Sequence, residues 1–162
     1  MFKIWLLRAL MALAGMIPTA TGFAGGDVTL TPFATYQSGQ FEASASEIVA
    51  HDPRSGRIFV TNASTGNLDV LQLSLTSGLT AISVINTANP VTHVRIWDDG
   101  TASYVVASSP GSVSTAPGTV SVYTSTGILQ AVYSVGAFPD MLYVTSNGLV
   151  LTANEGQPAG AT

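Results

Sequence analysis

The sequence of 162 residues contains no cysteine, and its single lysine is Lys3. Without cysteine the chain has no disulfide bond, no thiolate nucleophile and no zinc site built on sulfur. Without another lysine it has neither a Schiff-base amine nor the lysine of a phosphate-binding loop beyond position 3. Motifs of serine hydrolases, zinc proteases and dinucleotide-binding folds are also absent. These absences exclude several large classes of enzyme, and we predict no catalytic residue.

Charge is scarce as well, at 9% of residues against roughly 25% in an average globular domain. Beyond residue 24 the cations are Arg54, Arg57 and Arg95, against nine acidic residues, so the balance is 3 − 9 = −6. Because nucleic-acid binding needs several cations to neutralise phosphates, we expect no nucleic-acid partner. Hydrophobic residues reach 46%, which predicts a folded chain rather than a disordered one.

The first 24 residues have the pattern of a secretory signal peptide. Lys3 and Arg8 precede an apolar run at residues 9–17, which is shorter than the roughly 20 residues that span a bilayer. Small residues before the predicted cleavage point place cleavage after Ala24. The alternative is an uncleaved N-terminal anchor. We therefore expect a bacterial protein that is secreted, periplasmic or on the cell surface, without a transmembrane span after signal removal.

The mature chain, residues 25–162, reads as short alternating strands separated by polar turns, with no helical periodicity. A unit of four strands starts twice and then begins a third time. Its second strands are predicted to end at Asn62, Ser108 and Asn154, and 108 − 62 = 154 − 108 = 46 residues. A period of about 40–50 residues with four strands per unit is typical of β-propeller blades. The sequence therefore predicts an all-β fold.

The predicted architecture is an incomplete β-propeller in an open arc. Two four-stranded antiparallel blades are expected near residues 47–85 and 93–135, and the first hairpin of a third near 140–158. Since closed propellers have about four to eight blades, we expect a fragment of a longer protein. An unpaired blade edge also predicts self-association through that edge.

Several local features follow from turn residues. An additional strand is expected over residues 28–36, ahead of the first blade. The segment Asp98-Asp99-Gly100 predicts a hairpin turn. The prolines and glycines of residues 108–118 predict a long loop, so that the next strand begins at Thr119.

Two segments carry a resemblance to a known family. Residues 136–141, Gly-Ala-Phe-Pro-Asp-Met, and 151–158, Leu-Thr-Ala-Asn-Glu-Gly-Gln-Pro, resemble the N-terminal region of choice-of-anchor I proteins. Residues 47–52 and 57–62 are similar to the first blade of that family, and the likeness covers about residues 28–158. The resemblance implies an exported bacterial β-propeller, similar to YVTN-type and lactonase-like propellers, in a family whose members often carry a C-terminal surface anchor.

The candidate binding residues are Asp140, Asn154 and Glu155, at one predicted rim of the third unit. Together with backbone carbonyls, their oxygen atoms would suit a hard cation such as Ca²⁺. No other cofactor is predicted, and the sequence lacks the regular acidic spacing of a calcium loop. The alternative is structural: Asp140 would bond backbone amides of the turn at Pro139, and Glu155 would be solvated.

His51 and His93 fall in the first strands of successive units. They are candidates for a metal ligand or a general base, and the alternative is that they are rim residues without a chemical role. The strand aromatics are expected to pack between blades, with a sugar-binding platform as the alternative: Trp97, Tyr104, Tyr123 and Tyr143.

The sequence favours a non-enzymatic binding or scaffold module at the cell envelope, with an unidentified envelope or extracellular ligand. The alternative, which the resemblance implies, is part of a hydrolase-type propeller, lactonase-like or associated with an alkaline phosphatase. Its rim metal site would be completed by further blades. Convergence of Asp140, Glu155 and a histidine on one pocket would favour the enzyme, and their separation would favour the scaffold.

Overall fold

The computed structural model describes residues 4–9, 30–40 and 45–156. All the secondary structure in these residues is β-strand. The first two strands pair antiparallel with each other and precede the blades: β1 (Ile4–Ala9) and β2 (Leu30–Tyr36). The expected strand near residues 28–36 is thus present as β2.

Two four-stranded antiparallel sheets follow, with the strands of each in chain order. The first blade contains β3 (Val49–Asp52), β4 (Arg57–Asn62), β5 (Asn67–Ser74) and β6 (Gly78–Ile85). The second blade contains β7 (His93–Asp98), β8 (Ser103–Ser109), β9 (Pro117–Thr124) and β10 (Leu129–Ala137). The hairpin of a third blade contains β11 (Pro139–Val144) and β12 (Val150–Asn154).

The first strands of the three units, β3, β7 and β11, are neighbours in space, and the later strands of each blade lie progressively farther out. This is the arrangement of an open, incomplete β-propeller, as the repeat predicted. The second strands end at Asn62, Ser109 and Asn154, which gives steps of 47 and 45 residues around the predicted 46. The difference arises because β8 continues one residue past the predicted end at Ser108, to Ser109.

The first seam is the contact between the first and second blades. Alternate residues of a strand face opposite sides of a sheet, and both sheets contribute apolar side chains to this contact. Its buried cluster includes Phe59, Leu68, Val70, Ile85, Val94, Val105, Ala107 and Tyr123. Because all of these are almost entirely removed from water, the first seam is the main core of the described residues.

The second seam is the contact between the second blade and the third hairpin. Val106, Val120 and Leu142 are its fully buried side chains. Partly buried residues surround them: Trp97, Val122, Val135, Val144 and Val150. This cluster is smaller because the third unit contributes a hairpin rather than a complete sheet.

The predicted loop over residues 108–118 is too long, since Pro117 and Gly118 belong to β9. Proline is tolerated as the first residue of a strand because no ladder bond depends on its missing N–H there. Gly118 allows close packing: a Cβ atom at this position would lie 2.4 Å from a ring carbon of Pro139 and 2.6 Å from the Ser109 carbonyl oxygen. The proline and glycine therefore shape a strand junction instead of a loop.

The aromatic residues divide into two groups. Tyr123 is buried in the first seam and Trp97 packs in the second, and the Trp97 ring stacks on Tyr104 with centroids 5.5 Å apart. Tyr143, in contrast, is 54% exposed. The prediction that it packs between blades is wrong for the described residues, because it lies on the face of the third hairpin that turns away from the second blade.

β2 packs on the face of the first blade opposite the first seam, where Tyr36 joins Ile58, Val60 and Leu71. The Tyr36 hydroxyl donates a hydrogen bond to Oδ2 of Asp69 over 3.1 Å. Burial, together with the Asp69 charge and this bond, raises the pKa of Tyr36 to about 12. Tyr36 thus stays a neutral donor at any physiological pH.

The predicted signal peptide stays a prediction. β1 lies inside it, whereas most of the apolar run and the cleavage point after Ala24 lie outside the described residues. None of the residues that the structure describes belongs to a helix able to cross a membrane.

Candidate functional site

Polar side chains gather where the inner strands of the second seam begin. His93 opens β7 opposite Ser108, and Pro139 opens β11 opposite Asn154. Thr92 ties the two strands together, because its hydroxyl donates a hydrogen bond to the Pro139 carbonyl oxygen. We call this region the inner seam site and define it by His93, Arg95 and Trp97 on β7 and Asp140 on β11.

His93, Arg95 and Trp97 share one face of β7, because alternate residues of a strand point the same way. The residues between them, Val94 and Ile96, pack in the first seam. The three nitrogen-bearing side chains therefore face the second seam, where Trp97 packs against the buried cluster. Successive members of this row are separated by about 7 Å along the strand.

Each residue of this row has a buried nitrogen without a hydrogen-bond partner among the described residues: Nε2 of His93, Nε of Arg95 and Nε1 of Trp97. His93 as a whole is only 7% exposed. A buried donor without an acceptor typically costs about 1–3 kcal/mol. Three such atoms on one strand face mark a place where acceptor oxygens would be bound favourably.

The titratable and charged groups near the site differ in whether an opposite charge lies close to them. Burial lowers the pKa of His93, the Arg95 charge lowers it further, and Asp140 opposes them only in part. His93 is therefore neutral at neutral pH. Arg95 has no ion pair among the described residues, where the pair recorded joins Arg54 to Asp98. Arg57 is also occupied, since its Nη1 donates to the Ser125 carbonyl oxygen at 2.5 Å.

The backbone beside the site is strained. Phe138 has a φ of 50° and is the non-glycine residue with positive φ in the described part of the chain. Such a conformation in a bulky residue costs on the order of 1–3 kcal/mol and is often found near functional sites. Two backbone hydrogen bonds hold this conformation. The Glu155 amide donates to the Phe138 carbonyl oxygen, and the Gly156 amide donates to the Ala137 carbonyl oxygen.

The three predicted site residues lie together at this end of the third hairpin. Asn154 is opposite Pro139, Glu155 is anchored through its backbone to Phe138, and Asp140 is next to a break in the ladder register. All three side chains are exposed. The Asp140 carboxylate makes no hydrogen bond to the described residues, so the structural alternative in which it bonds the amides of the Pro139 turn is wrong.

The histidines are not brought together. His51 lies opposite Ile58, next to the turn of the first inner hairpin, while His93 lies opposite Ser108 at the far end from the second turn. Of the two, His93 joins Asp140 in the inner seam site. No group of three or more metal-ligating residues (His, Cys, Asp or Glu) occurs in the described ranges, and Ca²⁺ binding stays a prediction.

Arg95 was missed as a site residue by sequence reasoning. Its signal was available: it is one of three arginines beyond residue 24, where the sequence has no lysine. Its position between an alternating histidine and tryptophan also placed all three on one strand face. The sequence could not show that Arg54 and Arg57 are occupied elsewhere and that Arg95 is not.

A second polar feature is a cleft at the first seam. A cleft of about 420 Å³ opens between the segment that joins the first two blades and the sheet of the second. Its polar lining consists of hydroxyl and amide side chains from Asn86, Thr87, Asn89, Ser109, Thr119 and Ser121. None of the described residues that line the cleft is charged.

The fold defines a class, an all-β propeller arc, here with unpartnered nitrogens along the inner strand β7. The sequence pattern of the choice-of-anchor I domain matches residues 47–162, which is more than half of the chain. The protein therefore belongs to the choice-of-anchor I family, as the resemblance implied. Membership indicates a bacterial extracellular or cell-surface protein. A search of curated proteins found no match.

Proposed function

We propose that this protein is a non-enzymatic binding module of the bacterial cell surface, which holds its ligand at the inner seam site. The observation that carries the proposal is the row of unpartnered nitrogens on β7, next to the exposed carboxylate of Asp140. Family membership supports a surface location. A propeller presents such groups from a rigid sheet, which suits recognition.

The same geometry gives little support to the alternative that the protein is part of a hydrolase. A general base has to reach the proton that it removes. Nε2 of His93 is buried and lacks a partner in the described chain. The site offers neutral and positive donors for recognition more readily than a base for catalysis.

The test is binding of the full chain, labelled with a fluorophore, to isolated bacterial cell envelopes. We expect saturable binding that weakens in Asp140→Asn, with Asp99→Asn as the matched control because Asp99 lies in the hairpin turn at the opposite end of β7. Binding that is unsaturable, or equally strong in both variants, would contradict the proposed site. Turnover of lactones or phosphomonoesters that Asp140→Asn abolishes would instead support the hydrolase alternative.

The rim residues Asp140, Asn154 and Glu155 form the second part of the proposal, a weak Ca²⁺ site completed by backbone carbonyls. A ligand that binds only the folded state raises the midpoint of thermal unfolding. We therefore expect Ca²⁺ to raise the midpoint in the wild type and not in Asp140→Asn, with Mg²⁺ as the reference cation. An equal response to both cations in both proteins would remove the metal from the proposal.

A further inference from the structure

We propose that the row of His93, Arg95 and Trp97 binds an oxyanion, a carboxylate or phosphate group carried by the ligand. This inference deepens the proposed binding function, rests on it, and names the chemistry that the β7 row of the inner seam site recognises. The Asp140 carboxylate repels an anion and would contact a different, non-anionic group of the same ligand. Its basis is the coincidence of three unpartnered nitrogens on one face of one strand, one of which belongs to a guanidinium without an ion pair among the described residues.

The first argument is the donor chemistry of the row. An indole nitrogen only donates, and a guanidinium only donates. The Nε2 atom of a neutral histidine donates in one of its two tautomers. Because successive members of the row lie about 7 Å apart along the strand, one carboxylate or phosphate group can accept from Arg95 and from one of its two neighbours, whereas a cation or an apolar ligand would leave all three unsatisfied. The donor set therefore selects an acceptor-rich ligand.

The second argument is charge. A guanidinium that is partly buried without a carboxylate keeps its full charge, because it does not lose its proton in proteins. Arg95 is in this position among the described residues, while Arg54 and Arg57 have partners. Carboxylate and phosphate match the planar fork of arginine geometrically. Arg95 is partly exposed, so the anionic group would enter at this residue.

The third argument is rigidity. Trp97 is held by its stacking on Tyr104 and by Gly148, where a Cβ atom would lie 2.7 Å from the indole ring. Gly148 also has a φ of 83°, which favours glycine. A donor that is already oriented loses little entropy when its ligand binds. The indole N–H is thus a fixed element of the site.

The competing explanation is water. An ordered water molecule bridging two of the nitrogens would satisfy them without any anion. Water and an oxyanion differ in one measurable respect: only the oxyanion depends on the Arg95 charge and on the concentration of added anion.

The experiment follows the indole N–H resonance of Trp97 by nitrogen–proton NMR in the full chain. The sequence has two tryptophans, and the variant Trp5→Phe assigns the remaining signal to Trp97. Sodium phosphate and sodium citrate are titrated separately, with sodium chloride at matched ionic strength as the reference. We expect the Trp97 signal to move along a saturable curve with at least one of the two oxyanions and not with chloride.

The variants locate the interaction. Arg95→Gln should weaken the affinity at least about tenfold, the loss typical of one charge-assisted hydrogen bond. Arg57→Gln, with its guanidinium at the first seam, should bind as the wild type does. If Arg95→Gln fails to fold, as judged by its amide spectrum, His93→Gln takes its place with the same expectation.

The outcomes separate the alternatives. A response to citrate alone indicates a carboxylate ligand, and a response to phosphate alone indicates a phosphate ligand. Identical behaviour in all three salts, or an Arg95→Gln protein with unchanged affinity, would overturn the inference and leave ordered water as the explanation. Envelope binding that depends on Asp140 without any oxyanion effect would keep the proposed function and remove only this inference.

Discussion

The two seams of the molecule use the same strands in different ways. In the first seam, polar groups are paired across the blades: the buried Ser103 donates to Asp52 over 2.9 Å, and at the exposed edge Arg54 donates to both carboxylate oxygens of Asp98. In the second seam, Thr92 bonds the Pro139 carbonyl, while the nitrogens of the β7 row have no partner in the described residues.

This difference indicates that the seam that stabilises the fold provides hydrogen-bond partners for its buried polar groups. Asp52 is fully buried, and the hydroxyls of Ser55 and Ser103 and the Arg54 amide all donate to its carboxylate. An unpaired buried polar group is costly. The second seam carries several, beside a strained Phe138. We interpret the first seam as structural and the second as the one specialised for binding.

The largest expected effect is on the first seam. Phe59 is completely buried there, so Phe59→Ala should lower the free energy of unfolding by about 3–5 kcal/mol. Urea unfolding followed by circular dichroism measures this change. Ile82→Ala is the control, because Ile82 is 45% exposed and should cost well under 1 kcal/mol. Similar losses in both variants would contradict the core assignment.

Truncation of a buried side chain in the second seam should lower the free energy of unfolding less than it does in the first seam. Leu142→Ala removes its central buried side chain, and we expect a loss toward the lower end of about 2–5 kcal/mol. The reason is that a two-stranded hairpin can move inward to fill part of the cavity. Amide hydrogen exchange should show the increase in opening at β11 and β12, with the first blade unchanged. Equal loss of protection in the first blade would show that the two seams unfold as one.

The Asp52 carboxyl should make the stability of the first seam depend on pH. Burial raises the pKa of its carboxyl, but the hydrogen bonds from Ser55, Ser103 and the backbone amides outweigh this and hold the pKa below its ordinary 3.8. A carboxyl with a depressed pKa in the folded state stabilises the protein above its unfolded-state pKa. This contribution is lost as the pH falls through the folded-state value.

The variant Asp52→Asn should therefore cost about 1–3 kcal/mol at neutral pH and reduce the loss of stability in acid. Urea midpoints at pH 7 and below pH 3.8 measure both effects. Asp140→Asn is the control, since the Asp140 carboxylate is exposed and not hydrogen-bonded within the described residues. An unchanged acid response in Asp52→Asn would show that another carboxyl controls it.

The smallest changes in stability are expected from substitutions of Arg57 and Arg95, and the two variants should differ from each other. Arg57→Gln loses the hydrogen bond from Nη1 to the Ser125 carbonyl between the blades, and should cost about 1 kcal/mol. Arg95→Gln removes an unpaired charge and should leave the unfolding midpoint unchanged or slightly higher. A midpoint that falls as much for Arg95→Gln as for Arg57→Gln would mean that Arg95 supports the fold.

Local rules were sufficient for the strands and turns. The Asp98-Asp99-Gly100 segment forms the predicted turn, in which Oδ1 of Asp99 accepts from Thr101 and from the Ala102 amide. These bonds, led by the Thr101 hydroxyl, lower the pKa of Asp99 to about 2. The prediction succeeded because every group in the turn lies within four consecutive residues of the chain.

The candidate site was found only in part. Asp140, Asn154 and Glu155 could be grouped because they flank one hairpin, and paired strands bring such residues together. Arg95 and Trp97 could not be assigned in the same way. Their roles depend on which hydrogen-bonding and charged partners lie near them. Such partners come from other blades, 44 residues away in the case of Arg54 and Asp98.

The sequence by itself determined the all-β class, the repeat of about 46 residues and the family, because alternation, turn residues and motif letters are local properties of the chain. Tertiary structure decided which polar groups are satisfied. Arg54 and Arg57 find partners across the first seam, whereas Arg95, on the other face of the second blade, meets a hairpin whose inward side chains are apolar. A hydrogen bond depends on distances of about 3 Å, and packing between blades sets those distances.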